Sequence, residues 1–155
     1  MTRETTPDSA TPAPMLDLEA LETSFDLIAP QGDLLMDTFY ARLFEAAPSV
    51  RPLFPTDMAT QKTMLLGALV LLRKSLRDLD AIVPKLRDLG ARHVAYGAVP
   101  EHYPVVGSAL MGAMAEVAGS AWRSTYADAW ERAFGIVAGA MLEGAELATL
   151  EAAAA

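Results

Sequence analysis

Two histidines, His93 and His102, and no cysteine are available for metal chemistry in this 155-residue chain. Without cysteine the chain has no disulfide, no thiol nucleophile, no thiolate-bound zinc site and no iron–sulfur cluster. Any transition-metal site must therefore be built from these two imidazoles, from carboxylates or from tyrosines. This scarcity limits the positions at which such a site could lie.

His93 is the better candidate of the two histidines. It stands four residues after Leu89 on the apolar face of a predicted helix. A neutral imidazole there suits an axial ligand of haem iron, with Leu89 packed beneath the flat cofactor. From the residues alone, a capping or partly buried histidine that binds nothing is the more usual interpretation. His102 follows Pro100 in the first turn of another helix, where we expect it on the surface or at the edge of a cofactor.

Two polar side chains, Tyr40 and Gln61, lie on helix faces that otherwise look buried. A buried hydroxyl and a buried amide both need hydrogen-bond partners. Together they could grip a small polar ligand, whereas each alone is typical of an ordinary core residue. Phe54 ends a proline-rich segment and would serve either as core filling or as a clamp against a planar ring.

The elements that must position these residues are predicted to be helical. Ala and Leu dominate the apolar 52 % of the chain, and both favour helices. Apolar residues recur at three- and four-residue spacing in about six stretches. These lie between Met15 and Pro30, then up to about Ala46, from Asp57 to Leu76, from Pro84 to about Gly97, from Pro100 to Gly119, and from Ser124 onward.

Prolines and apolar runs add detail to this all-α prediction. Three prolines at 48, 52 and 55 predict a short corner between the second and third helices. The apolar run over 64–72 is wide enough that we expect the third helix to be buried on more than one side. Residues 1–14 are rich in proline and threonine, and we expect a disordered tail there. The predicted domain spans 15–150, followed by a fraying helical end or loose tail over 151–155.

The charge balance excludes several classes of partner. Twelve basic residues stand against twenty acidic ones, a net charge of −8, which disfavours nucleic acid and anionic membranes. The apolar run from Met64 to Leu72 has nine residues, whereas a bilayer span needs about 20. The N-terminus has no signal-like apolar segment. We therefore expect a cytoplasmic protein that contacts no membrane.

Four stretches carry a resemblance to a known family. They are FYARLFEAAPSVRPLF (39–54), QKTMLLGAL (61–69), LRDLGARHVAYGAVPEHYPVVGSAL (86–110) and YADAWERAFGIVAGAML (126–142). Over about residues 16–148 the chain resembles bacterial single-domain globins and the globin half of flavohaemoglobins. The third stretch is the most specific, because a helix ending in histidine is followed by a proline turn and HYPVVG.

The resemblance implies a globin fold around haem b and a role for each candidate residue. It makes His93 the proximal ligand of the iron, with Leu89 and Tyr103 on the same side. Tyr40 and Gln61 become the distal polar pair. The remaining two are Phe54, which packs on the haem edge, and Leu65, the apolar residue over the iron.

These roles imply binding of O2, CO and NO, with high affinity for O2. Bound dioxygen carries negative charge, so the Tyr40 hydroxyl and the Gln61 amide can each donate a hydrogen bond to it. Such bonds contribute about 1.5–3 kcal/mol each. CO develops less charge and gains less. We therefore expect slow O2 release.

The sequence departs from the flavohaemoglobin pattern in two places. Ala145 stands where the resemblance implies a glutamate on the proximal side, and the nearby Glu143 and Glu146 point elsewhere because neighbours on a helix are rotated by about 100°. The chain also ends at residue 155, so we expect any reductase to be a separate protein.

Three functions remain open from the sequence. The first is reversible binding of O2 and other diatomic gases. The second is nitric oxide dioxygenation, which detoxifies nitric oxide with the help of a separate reductase. The third is a haem-free helical adaptor or a gas-sensor module that acts through a partner chain.

Overall fold

A computed structural model describes residues 16–154 and contains six long α-helices and no strand in that range. The helices are α1 (Leu18–Ile28), α2 (Gly32–Ala46), α3 (Ala59–Lys74), α4 (Val83–Ala95), α5 (His102–Ala118) and α6 (Ser124–Ala154). A 3₁₀ segment at Pro48–Leu53 forms the proline corner, and another at Leu76–Ala81 joins α3 to α4. The all-helical prediction with a proline corner is confirmed. The expected tail over 1–14 lies outside the described residues, and α6 continues through 151–154.

The helix ends follow from local chemistry. The Asp57 carboxylate accepts a hydrogen bond from the Ala59 backbone N–H at 3.0 Å, which satisfies a free donor at the start of α3. Pro84 occupies the first turn of α4, where its missing N–H has no effect. Gly97 and Gly119 have φ of 95° and 60°, which glycine adopts readily, and they follow α4 and α5.

The core lies between α1, α2, α5 and the first half of α6. Its most buried side chains include Leu21, Ile28, Leu35, Leu43 and Met114. One polar link crosses it: the Trp130 Nε1–H donates to Ser24 Oγ at 2.8 Å, and Ser24 Oγ donates to the Ala20 carbonyl at 2.6 Å. Because each of these buried polar atoms has a hydrogen-bond partner, the link stabilises the core.

Helix α4, which carries His93, is held almost backbone to backbone against α6. A Cβ on Gly90 would lie 1.8 Å from the Met141 carbonyl oxygen, and a Cβ on Gly144 would lie 1.9 Å from the Arg87 carbonyl oxygen. Only glycine permits this approach, which places the axes closer together than side chains normally allow. The contact therefore fixes where His93 stands.

Gly90→Ala is expected to destabilise the protein by about 1–3 kcal/mol, because a methyl group would force the two helices apart. That loss corresponds to a thermal midpoint lower by about 2–4 °C per kcal/mol. Gly67→Ala is the matched control, since a Cβ on Gly67 meets nothing within 4 Å and alanine favours a helix. Thermal denaturation of both variants measures the difference. Equal midpoints for the two would contradict the close α4–α6 contact.

The expectation that α3 is buried on more than one side is wrong. Leu69 is its one fully buried residue, whereas Met64 is 64 % exposed and Leu71 is 47 % exposed. The physical reason is that α3 packs mainly on α2, where Gly32 lets Leu66 approach its backbone. Met64 and Leu71 lie on its other sides and stay exposed, although several partly buried residues of α3 pack against the core.

Helix α6 has enough length and apolar composition to cross a membrane, with a mean hydropathy of 1.4 over its best window within Ser124–Ala153. A search for long unbroken apolar runs does not find this helix, because its alanines and larger apolar residues raise the average hydropathy even though charged residues interrupt the runs. A single such helix is weak evidence, and α6 packs on α1, α4 and α5 in this fold.

Candidate functional site

Tyr40 on α2 and Gln61 on α3 meet as a hydrogen-bonded pair. Gln61 Nε2 donates to the Tyr40 hydroxyl oxygen at 3.2 Å, and Tyr40 is 4 % exposed. The hydroxyl oxygen is therefore an acceptor in this bond, and its own proton has no acceptor within residues 16–154. A buried O–H of this kind is ready to donate to a ligand. Twenty-one residues separate the two side chains, and the contact between α2 and α3 brings them together.

Aromatic rings position the Tyr40 phenol. Its ring centroid lies 4.7 Å from that of Phe39, 5.8 Å from Phe44 and 5.7 Å from Phe54. The Phe39 and Phe54 rings stand edge-to-face to the Tyr40 ring, at interplanar angles of 65° and 74°, and the Phe44 ring is tilted by 33°. The predicted pocket residue Phe54 is half-buried at the end of the proline corner and contacts Tyr40 directly.

Arg51 holds the proline corner in shape, and sequence reasoning missed it. Its guanidinium donates to the backbone carbonyls of Phe54, Pro55 and Thr56, at 3.3, 2.9 and 3.2 Å. The same group lies 5.0 Å from the Phe44 ring centroid, within reach of a cation–π interaction. The spacing of residues could not predict this role of Arg51, because its partners are backbone carbonyls, which every residue carries.

Burial raises the pKa of the Tyr40 phenol above its ordinary value of 10.0, and the hydrogen bond from Gln61 opposes part of that rise. Desolvation acts this way because it disfavours the charged phenolate. Tyr40 therefore keeps its proton at neutral pH and remains a donor.

Tyr40 is expected to make the folded state lose stability at alkaline pH. Its folded pKa lies above the unfolded value, so its contribution is fully present below about pH 10 and is lost as pH rises through the folded pKa. Urea unfolding at pH 8 to 11 measures the slope, and Tyr40→Phe is the comparison. If both proteins lose stability equally above pH 10, Tyr40 is not a buried phenol.

His93 on α4 is half-buried, and its ring orientation is fixed by the helix itself. His93 Nδ1 lies 2.8 Å from the Leu89 carbonyl oxygen. A carbonyl only accepts, so Nδ1 carries the proton and the neutral ring has its lone pair on Nε2. No hydrogen bond reaches Nε2 from the described part of the chain. This is the tautomer and the second contact that a metal-ligating histidine needs.

Tyr96 and Tyr103 are the two tyrosines that follow His93 most closely in the sequence. The Tyr96 ring stands edge-on to the His93 ring, with centroids 5.8 Å apart. The Tyr103 hydroxyl on α5 is buried and has no hydrogen-bond partner among the described residues, and burial raises its pKa. Glu143 is exposed and pairs with Arg87, so it points away from the fold's interior, as expected from its helical position.

The remaining candidates are placed less directly. Leu65 is half-buried and packs against the core, and Leu89 contributes its carbonyl to His93. His102 Nδ1 accepts a hydrogen bond from the Val99 N–H at 3.2 Å, which ties the turn before α5. Within residues 16–154 no hydrogen bond or ring contact joins the Tyr40–Gln61 pair to His93. The structure thus presents the Tyr40–Gln61 pair and the His93–Leu89 contact as two separate polar groups.

Comparison with protein families shows which family the chain belongs to. The globin family profile matches residues 37–141, which cover most of the domain and include Tyr40, Gln61, His93 and Tyr103. This chain belongs to the globin family. Membership implies haem binding, and this globin has a histidine with a free Nε2 lone pair to offer such a cofactor.

Curated relatives support the same family membership. A flavohemoprotein of Bacillus subtilis is 31 % identical over 134 residues, covering 83 % of this chain and 34 % of the relative. One from Xylella fastidiosa is 30 % identical over 123 residues, covering 76 % of this chain and 30 % of that protein. This globin therefore spans about a third of the length of the curated relatives that it matches.

Two solved structures share the fold. A bacterial globin from Campylobacter jejuni has a TM-score of 0.73 at 23 % identity, covering 83 % of this chain and 94 % of that one. An engineered carbene transferase, made from a candidate nitric oxide dioxygenase of Rhodothermus marinus, has a TM-score of 0.74 at 26 % identity, covering 86 % and 95 %. The predicted globin fold and the resemblance to bacterial globins are confirmed.

Proposed function

We propose that this globin holds haem b through His93 and binds dioxygen reversibly and tightly through Tyr40 and Gln61. The observation that carries the proposal is the buried Tyr40 hydroxyl, which accepts from Gln61 and keeps its own proton free. Family membership supports the cofactor, and the polar pair supports the choice of ligand.

The proximal side fits a haem because of the His93 tautomer. The Leu89 carbonyl holds Nδ1–H, so Nε2 offers a lone pair in a fixed direction. When bound, haem supplies an iron atom that binds diatomic gases. The chain's part is to orient the imidazole through Leu89 and to keep α4 in place through Gly90. Ala145 offers no carboxylate to make the imidazole more electron-donating, which favours ligand binding over peroxidase chemistry.

The distal side fits a ligand that gains negative charge. The amide of Gln61 polarises the Tyr40 hydroxyl, and a hydroxyl that accepts one bond donates a stronger one. The second N–H of the Gln61 amide remains available as a further donor. The rings of Phe39, Phe44 and Phe54 keep water from the phenol, which strengthens its electrostatic interaction.

Absorption spectra and O2 kinetics test this function. The purified protein, supplemented with haem, is expected to show an intense absorption band near 400 nm. This band is a general property of haem proteins, and we expect it here because the chain belongs to the globin family. The ferrous form is expected to bind O2 and release it slowly in stopped-flow competition with CO. The proposal fails if the protein never takes up haem. It also fails if O2 leaves as fast as it does from haem pockets that have no hydrogen-bond donor.

Nitric oxide dioxygenation is the second candidate, favoured by the flavohemoprotein relatives and by the Rhodothermus marinus structure. In this reaction nitric oxide and dioxygen combine into one nitrate ion, and one electron per turnover has to come from a reductase. Tyr40 and Gln61 would hold dioxygen while nitric oxide attacks. Rapid mixing of the oxygenated protein with nitric oxide decides: stoichiometric nitrate within the mixing time supports the enzyme, and slow or absent nitrate excludes it.

A further inference from the structure

The first turn of α3, which carries Gln61, has little apolar packing to hold it. Met58, just before the helix, and Leu65, one turn after Gln61, are half-buried and pack against the core. Between them every residue is either polar or exposed. The one fully buried residue of α3, Leu69, lies a further turn along the helix. A helix end with so little buried apolar surface opens more easily than the core, so polar contacts decide where Gln61 stands.

Two polar contacts lie side by side between α2 and α3. The first is the hydrogen bond from Gln61 Nε2 to the Tyr40 hydroxyl at 3.2 Å. In the second, Lys62 Nζ donates to Asp37 Oδ1 at 2.9 Å. Asp37 stands three residues before Tyr40, so both lie on the same face of α2, and Lys62 directly follows Gln61. The ion pair therefore ties the two helices together at the place where Gln61 meets Tyr40.

The place of Lys62 in α3 also indicates that its contact with Asp37 matters. Lys62 is the fourth residue of the helix, close to the positive end of the helix dipole. A positive side chain is unfavourable there, whereas Arg73 and Lys74 in the last turn complement the negative end. The preferences of the helix therefore do not account for a lysine at position 62, but an ion pair with Asp37 does.

We propose that Asp37 and Lys62 are positioning residues of the distal site, which hold Gln61 against the Tyr40 hydroxyl and thereby slow O2 release. This inference rests on the proposed function of Tyr40 and Gln61. Within residues 16–154 neither charged side chain bonds to Tyr40 or Gln61, so both act through the position of α3. The Lys62 and Asp37 side chains are 35 and 63 % exposed, so water and salt weaken their attraction. An exposed pair of this kind shifts an equilibrium by about two- to fivefold.

Amide hydrogen exchange of the CO-bound protein, followed by NMR, tests the positioning role without measuring O2. In Lys62→Met the backbone N–H groups of residues 62–66 are expected to exchange about two- to fivefold faster than in the wild type. Those of the last turns of α3 are expected to keep their rates. Arg42→Gln is the matched control, because it removes an ion pair of similar exposure that joins α2 to Glu116 of α5. It is expected to leave exchange in α3 unchanged.

Stopped-flow kinetics of the haem-loaded protein test the consequence for O2. Lys62→Met and Asp37→Ala are each expected to speed O2 dissociation about two- to fivefold and to change CO dissociation much less. Adding Lys62→Met to Gln61→Leu is expected to produce no further increase, because Gln61 is then no longer there to be positioned. Raising NaCl from about 20 mM to about 500 mM is expected to speed O2 release from the wild type, since salt screens the pair. Lys62→Met is expected to show no such salt dependence.

Exchanging the two charges separates the ion pair from general effects of substitution. Asp37→Lys and Lys62→Asp each place like charges together and are expected to speed O2 release more than Lys62→Met does. The double variant restores the pair with reversed charges and is expected to return both O2 release and exchange in α3 towards the wild type.

Two results would overturn the positioning role: unchanged exchange of residues 62–66 in Lys62→Met, or a double variant no better than its single parents. A failure of the proposed function looks different. Gln61→Leu would then leave O2 dissociation unchanged, while the exchange rates would still decide whether the Asp37–Lys62 ion pair holds the first turn of α3.

Discussion

His93→Ala is expected to abolish stable haem retention by this globin. His93 is the one histidine with a free Nε2 lone pair and a fixed ring, because the Leu89 carbonyl takes its Nδ1 proton. Removing the imidazole removes the protein's proposed bond to iron and leaves hydrophobic contact alone to hold the cofactor. The measurement is the ratio of the absorbance near 400 nm to protein absorbance after gel filtration. We expect that ratio to fall to the background of free haem.

The other histidine provides a matched control for that substitution. His102 ties the turn before α5 through its Nδ1 and the Val99 N–H, so His102→Ala is expected to retain haem with a small loss of stability. Imidazole added to His93→Gly is expected to restore part of the haem absorbance, because the free ring can occupy the space left by the side chain. Full haem retention by His93→Ala, or equal loss in both alanine variants, would contradict the assignment.

The sequence was most informative where a residue type is scarce. With two histidines and no cysteine, composition alone limits a histidine ligand of iron to His93 or His102. Apolar spacing and proline positions predicted the six helices and the corner, because burial and the missing proline N–H act locally. The prediction that Tyr40 and Gln61 act as a pair came from the family resemblance. Patterns within one helix could not show it, because the hydrogen bond joins two helices.

Other parts of the site could not be predicted because backbone atoms create them. The Leu89 carbonyl sets the His93 tautomer, and a residue of any type would present the same carbonyl. Arg51 acts on carbonyls of the proline corner. Gly90 and Gly144 lie inside predicted helices, where a glycine can indicate close approach of another helix. The sequence does not show which helix approaches each of them. The wide apolar run of α3 suggested burial on more than one side, but Met64 and Leu71 on that helix are exposed, because the core covers only part of its surface.

Tyr40→Phe is expected to speed O2 dissociation about ten- to a hundredfold while changing CO dissociation much less. The substitution removes the buried hydroxyl that is free to donate and keeps the ring among Phe39, Phe44 and Phe54. A hydrogen bond to a charged acceptor contributes about 1.5–3 kcal/mol, and each 1.4 kcal/mol is about tenfold in an equilibrium constant. Stopped-flow displacement measures both gases in the same pocket.

Gln61→Leu and the double variant show whether the two side chains act as one unit. If Gln61 acts by polarising Tyr40, then removing Gln61 from Tyr40→Phe changes O2 dissociation much less than removing it from the wild type. If Gln61 donates to dioxygen on its own, the two effects on the logarithm of the rate add. An equal increase for O2 and CO in Tyr40→Phe would show that the phenol limits space rather than donating a hydrogen bond, and the distal part of the proposed function would then fail.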